Sequence, residues 1–207
     1  MLPDSPTHSV TQLTIMQVLP ALKVGGVERG TVEFAIYLKQ QGHRPIVVSS
    51  GGPLVVELSA HQITHITLNV NKKSLRTFSS VKKLNRLLMD WQVDVVHARS
   101  RIPAWLSYWA IKRIKSSAKP KFVTTLHGLH SVSRYSSIMA RGDAVIAVSA
   151  TAKAYLEQHF SEYLKSEPRL IFRGIDQQFA YGYQADSTWL SGFQVKIEAT
   201  ENLKTVL

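Results

Sequence analysis

Cysteine is absent from all 207 residues, which removes disulfides and thiolate chemistry and fits a reducing cytoplasm. Acidic residues are scarce: fourteen Asp and Glu stand against twenty-five Lys and Arg, a net charge of +11. That imbalance implies a polyanionic partner, whether nucleic acid, an anionic membrane or a phosphate-bearing substrate. No apolar run approaches the roughly 18 uncharged residues of a membrane-spanning helix. The opening Met-Leu-Pro-Asp-Ser-Pro-Thr-His-Ser carries no basic-then-apolar leader, and residues 1–12 read as a short disordered lead. Gly-x-Ser-x-Gly, His-Glu-x-x-His and metal-type Asp clusters are all missing, which speaks against triad hydrolysis and a metal centre. RNP-like, zinc and helix-turn-helix signatures are missing too, so nucleic acid falls behind the other polyanions.

What is present is an alternation of strand-like and helical segments. Leu13–Leu19 is an apolar strand that meets Gly25-Gly26, after which a helical pattern runs from Val27 to about Leu38, with Gly42 just beyond. Further strands are expected at Pro45–Ser50, Ile63–Val70, Val93–His97, Phe122–Leu126, Ala144–Val148 and Arg169–Phe172. A short helix fits Pro53–Gln62. Leu75, Phe78, Val81, Leu84, Leu88 and Trp91 step by three and four as one amphipathic stripe. Pro103 suits the first turn of a helix reaching about Ser116, and Ser149 the N-cap of one reaching about Phe160. β-Branched strands alternating with helices imply a doubly wound α/β domain with a parallel sheet of about seven strands, Rossmann-like in kind.

In such sheets ligands bind beyond the carboxyl ends of the strands. The residues following the strands are Gly25-Gly26, Ser49-Ser50-Gly51-Gly52, His97 to Arg101, His127-Gly128, Ser149 and Arg173-Gly174-Ile175-Asp176. Glycine, polar and basic groups therefore gather at one rim, as a site for an anion requires. Gly25-Gly26 at a helix start would let backbone N–H groups approach a phosphate, or would serve only as a tight turn. The segment is neither a G-x-G-x-x-G nor a Walker loop. His97, Arg99 and Arg101, placed on the loop after the fourth strand, form either an anion clamp or a solvated basic loop. His127 either bonds a sugar hydroxyl or is satisfied by backbone groups, and Arg173 either contacts ligand or pairs with Asp176 in a turn.

The remaining positive charge lies on helices. Lys72, Lys73 and Arg76 precede and open the Leu75–Trp91 stripe, whose polar face carries Lys82, Lys83 and Arg86. Lys112, Arg113, Lys115, Lys119 and Lys121 follow a Trp105–Trp109 segment. Basic faces beside aromatic residues suit anionic headgroups, with a solvated face over core tryptophans as the alternative.

Taken in order, five segments resemble a known family. They are Leu19-Pro-Ala-Leu-Lys-Val-Gly25-Gly-Val-Glu28-Arg29, Val95-Val-His97-Ala-Arg99-Ser-Arg101-Ile-Pro-Ala-Trp105, Thr124-Thr-Leu-His127-Gly128, Met139-Ala-Arg-Gly-Asp143-Ala-Val-Ile-Ala-Val-Ser149 and Ile171-Phe-Arg173-Gly-Ile-Asp176. The set is similar to the N-terminal domain of GT-B retaining glycosyltransferases of family four, in the form seen in bacterial cell-envelope members. Phe172 stands where a proline is commoner.

The resemblance implies sugar transfer from a nucleotide-sugar donor to a lipid-linked or saccharide acceptor in envelope polysaccharide or lipopolysaccharide synthesis. No cofactor is implied beyond the donor as substrate, and no metal. It places Gly25 and Gly26 at the donor phosphates and acceptor, His127 at the transferred sugar, and His97, Arg99 and Arg101 on the acceptor side. The basic residues Lys72, Lys73, Arg76, Lys82, Lys83, Lys112 and Arg113 would face the cytoplasmic side of the membrane. Residues 13–176 would be the acceptor-side domain, and 177–207 a connector and the start of a missing C-terminal domain that carries the nucleotide grip and an E-x7-E motif. The chain alone is then expected to be inactive, as an excised domain, a truncated gene product or one half of a split enzyme, with its C-terminal domain supplied in cis or in trans. The alternative is a non-catalytic basic α/β module that binds anionic membrane or polyphosphate.

Overall fold

The computed structural model describes residues 11–70, 77–115 and 119–174. The chain divides into two compact units, 1–172 and 173–207, and of the second only Arg173 and Gly174 are described. The first unit is built from β1 (Thr14–Val18), α1 (Gly26–Gln40), β2 (Arg44–Ser49), α2 (Val55–Ala60), β3 (Thr64–Thr67), α3 (Thr77–Asp90), β4 (Val95–Ala98), α4 (Arg101–Lys112), β5 (Lys121–Leu126), β6 (Ala144–Ala147), α5 (Ala150–Phe160) and β7 (Arg169–Leu170). Short 3-10 turns lie at Ser136–Ala140 and Ser161–Tyr163.

All seven strands are parallel, in the order β3-β2-β1-β4-β5-β6-β7. The expected doubly wound sheet is therefore what forms. Because parallel neighbours share a side, the register sorts the strand residues into two faces. Met16, Val18, Ile46, Val48, Val96, Ala98, Phe122, Leu126, Val145 and Ala147 join α3, α4 and α5 in the larger core. Val47 joins Leu19, Leu22, Val32, Ala35, Leu58 and Ile63 in a smaller core under α1 and α2.

Strand starts are indexed by two carboxylates. Asp94, just before β4, accepts from the Thr14 amide of β1 at 2.7 Å, while its own amide donates to the Thr14 carbonyl. Asp143, just before β6, does the same with Phe122 of β5, accepting from its amide at 2.8 Å. Burial alone would raise the Asp143 pKa, but the hydrogen bonds from Lys165 and the Phe122 amide, with the charges of Lys165 and Lys121, leave it lowered.

Three helices stop in one way. Gly42 (φ 80°), Gln62 (φ 52°) and Gln92 (φ 47°) take left-handed conformations, and the next amide closes back onto the carbonyl five residues earlier: His43 to Leu38, Ile63 to Leu58, Val93 to Leu88. Each turn delivers the chain straight into the next strand.

The expected element boundaries hold to within a few residues, with two differences. The fourth helix starts at Arg101, two residues before Pro103, and the seventh strand is only Arg169–Leu170. Among the described helices none is long and apolar enough to cross a membrane.

Candidate functional site

The strand order reverses between β1 and β4, and the crevice of a doubly wound sheet opens at that point. Two segments meet there: the loop from Leu19 to Gly25 and the β4–α4 junction at Arg99 and Ser100. The Arg99 amide donates to the Val18 carbonyl at 3.3 Å and fixes the junction against the end of β1.

The loop after β1 is held in place by the loop after β2. Leu22 donates to the Gly51 carbonyl, Leu54 to the Leu22 carbonyl, and Ser50 to the Pro20 carbonyl. Gly52, at φ 148°, has no room for a side chain, since a Cβ would fall on the backbone of Leu22. Ser49 Oγ accepts from the Gly51 amide and lies 2.9 Å from His65 Nε2, which ties the turn to β3. Gly51 and Gly52 thus shape the wall on which the Gly25 loop rests.

Gly25 is the N-cap of α1, with extended φ and no side-chain cap. In the first turn of the helix the Glu28 carboxylate folds back so closely that a Cβ on Gly25 would meet it. The positive end of α1 is therefore shared with a carboxylate of the same helix. Arg29, next in the motif, turns away and pairs with Glu57 of α2 at 2.6 Å.

His97 lies within β4, not on the loop that follows it, and is only 4% exposed. Its Nε2 is 2.7 Å from Thr125 Oγ1 on β5, and Phe34 of α1 packs edge-on against the ring at 6.0 Å. Burial, with Arg99 and His127 adding, holds its pKa well below 6.5, so the ring is neutral at physiological pH. Gln17 of β1 lies beside it in register, buried, with Nε2 donating to the Thr31 carbonyl and Oε1 making no hydrogen bond. Gln17, His97 and Thr125 form a polar row across three adjacent strands, directly under α1. Sequence reasoning singled out His97 and missed the two partners.

Arg99 sits at the carboxyl end of β4 with its guanidinium 5.8 Å from the Phe34 ring. Arg101 is the first residue of α4, not part of the loop, and reaches the opposite way. It lies over Tyr135 at 5.2 Å and donates to Ser136 Oγ at 3.3 Å. Phe34 and Tyr135 therefore separate the two arginines into a crevice group and a loop anchor. His127 follows β5, half-buried with its ring nitrogens inside, near enough to influence His97 electrostatically. The loop it opens is pinned near its start: His130 Nδ1 is 2.8 Å from the Gly128 carbonyl, and the Tyr155 hydroxyl donates to the His130 carbonyl. Ser149 is occupied as the N-cap of α5, accepting from the Ala152 amide at 3.1 Å.

Gly25, His97, Arg99 and His127 are thus brought to the β1, β4 and β5 ends, while Arg101 braces the neighbouring loop. Arg173 lies exposed in the second unit. Of the basic helix residues, Lys82 and Lys83 are exposed on α3, and Lys112 and Arg113 are exposed at the end of α4. Lys72, Lys73 and Arg76 lie outside the described residues. Trp105 is a core anchor, its Nε1 donating to the Tyr135 carbonyl at 2.9 Å, whereas Trp109, stacked on it, is 40% exposed.

The family model for Glycosyltransferase Family 4 matches residues 24–179. The chain belongs to this family. No curated protein matches the chain in sequence. Among solved structures, a glycosyltransferase from Rickettsia africae is 37% identical over 94% of this chain and 52% of that one, with a TM-score of 0.73. Anabaena HepE, solved with UDP and glucose, shares the fold at 17% identity and a TM-score of 0.65, over 90% of this chain and 50% of its own. Sucrose-phosphate synthase from Thermosynechococcus elongatus shares it at 17% and 0.62, over 81% and 49%. The chain spans about half the length of these structures, and the fold is that of one half of a GT-B glycosyltransferase.

Proposed function

We propose that this chain is the acceptor-side half of a retaining glycosyltransferase. It would move a sugar from a nucleotide-sugar donor to a lipid-linked or saccharide acceptor in envelope polysaccharide or lipopolysaccharide synthesis. The observation that carries the reading is the hydrogen bond of the Arg99 amide to the Val18 carbonyl at the β1–β4 switch point, where the strand that leads to the Gly25 loop ends, inside a family-4 match.

In this reading the amides at Gly25 and Gly26 receive an anionic group at the positive end of α1, displacing the Glu28 carboxylate. Arg99 holds charge on the acceptor side, and Arg101 positions the loop after β5. His127 hydrogen-bonds the transferred sugar. His97 is a positioning residue: neutral and buried, it bonds Thr125 beneath the crevice and adds no charge near a developing cation.

Transfer needs donor and acceptor held together in a closed cleft, which is the work of two domains. A C-terminal domain, in cis or in trans, supplies the nucleotide grip. Work at the cytoplasmic membrane face is supported by the exposed cations on α3 and α4.

The test is sugar transfer from a panel of nucleotide-sugars onto lipid-linked and saccharide acceptors. The 207-residue chain is assayed alone and joined to a GT-B C-terminal domain. Turnover by the joined protein only, abolished by Gly25→Trp, is the expected result. No turnover from any donor by the joined, folded protein overturns the reading.

A further inference from the structure

A second basic site lies at the opposite rim, where the strands begin. A cavity of about 270 Å³ opens between the end of α4, the start of β5 and the turn before β6. Its walls carry Lys112, Lys119, Lys121, Arg141 and Lys165, against one carboxylate, Asp143. That carboxylate is already engaged, accepting from Lys165 at 2.6 Å and from the Phe122 amide. Four positive charges therefore remain around a space that Tyr108 and Phe122 floor with aromatic rings.

Such a concentration of like charge is self-repulsive, and an anion within it would relieve the repulsion. The cations are also pre-placed. Arg141 is held by its Nε bond to Ser137 Oγ at 3.2 Å and lies 4.2 Å over the Tyr163 ring. Lys112 lies 5.5 Å over Tyr108. Lys121 starts β5, its amide fixed on the Asp94 carbonyl at 2.8 Å, and Pro120 stiffens the link to Lys119. A fixed arginine fork with several ammonium groups is the donor set for a multiply charged oxyanion.

We infer that this cavity is a phosphate-binding site, for a phosphomonoester or diphosphate group, separate from the crevice and independent of the transferase reading. The phosphate could be carried by a lipid headgroup or by a soluble polyphosphate, and the chemistry of the walls is the same for both.

The experiment follows backbone amide NMR shifts of the full chain on titration with inorganic phosphate. Saturable shifts at Lys121, Phe122 and Asp143 are expected, apart from any at Gly25 and Gly26. In the variant Lys119→Gln/Lys121→Gln, whose side chains are exposed, the pocket shifts should need about tenfold more phosphate or more. An equal loss of charge on α3, Lys82→Gln/Arg86→Gln, should leave them unaltered. Co-sedimentation with phosphatidylcholine vesicles, with and without phosphatidic acid, separates the sources. Pelleting that needs phosphatidic acid and is lost in the pocket variant makes the carrier a lipid. Saturation by inorganic phosphate without such pelleting makes it soluble. Absent pocket shifts, or shifts weakened equally by the α3 variant, overturn the site.

Discussion

His97 and Thr125 face each other across two parallel strands at 2.7 Å, one an imidazole kept neutral by burial, the other its hydroxyl partner. In the unfolded chain this histidine titrates near 6.5; in the fold its pKa lies well below that. Between those values the unfolded chain binds a proton that the native state refuses, so stability is full above pH 6.5 and falls as the pH drops toward the folded value. The contribution of this residue reaches about 1.4 kcal/mol per pH unit. His65 and His130, also lowered by burial, act in the same direction. Urea unfolding on either side of pH 6.5 should show a steeper acid loss in the native chain than in His97→Gln. Identical slopes would mean that the ring does not resist protonation. Thr125→Val, which removes only the hydroxyl partner, should cost about 1–3 kcal/mol at neutral pH.

Glycines 25 and 52 should separate in their response to alanine. At Gly52 the left-handed φ and the Leu22 backbone both exclude a Cβ, and the strain should lower stability by about 2 kcal/mol or more. At Gly25 the backbone is extended and only the Glu28 side chain stands in the way, so thermal unfolding should move little. If Gly52→Ala melts at the native temperature, the stitched loop described above does not hold in solution.

The carboxylates of Asp94 and Asp143 each accept a strand-starting amide. Replacing either by alanine leaves that amide at a part-buried position without its charged acceptor, and should cost about 1.5–3 kcal/mol. Asn, which keeps an acceptor oxygen, should recover part of the loss. Chemical denaturation of the four variants measures both effects.

Gln62 and Gln92 hold the left-handed turn that Gly42 holds at the end of α1. Glycine at either position relieves steric strain of about 1 kcal/mol but adds freedom to the unfolded chain, so the gain should stay under about 1 kcal/mol. Alanine, which keeps the strain, should give no gain; a midpoint that drops on Gln92→Gly would show that the glutamine side chain itself holds the turn.

The order of strands and helices was legible because the strands are buried on both faces and so appear as unbroken β-branched runs, such as Ile46-Val-Val48 and Val95-Val96. The same property hid the orientation of His97. A strand with no exposed face has no alternation, so nothing local says whether its third residue points under α1 or out at the rim. Register links only two of the three polar residues: Gln17 pairs with His97, whereas His97 pairs with Val123 and reaches Thr125 two residues further along β5. Asp94 and Asp143 left a clearer trace, an aspartate directly before an apolar run, twice. The 3-10 turn at Ser136–Ala140 left none, since five residues of mixed type carry no readable period. For the crevice, sequence located the rim; which arginine faces it was decided by Phe34 and Tyr135, on segments far from either in the chain.

The pairing of Thr14 with Asp94 has a consequence for how the chain is made. Eighty residues separate the two. While the ribosome is still delivering α1 through α3, β1 can pair with β2, but its other side waits as an open row of amides and carbonyls. That row is the centre of the finished sheet and, until β4 emerges, an adhesive edge for any neighbouring nascent chain. The strand order thus sets an interval during synthesis in which this edge is unpaired, and it closes with the arrival of Ala98.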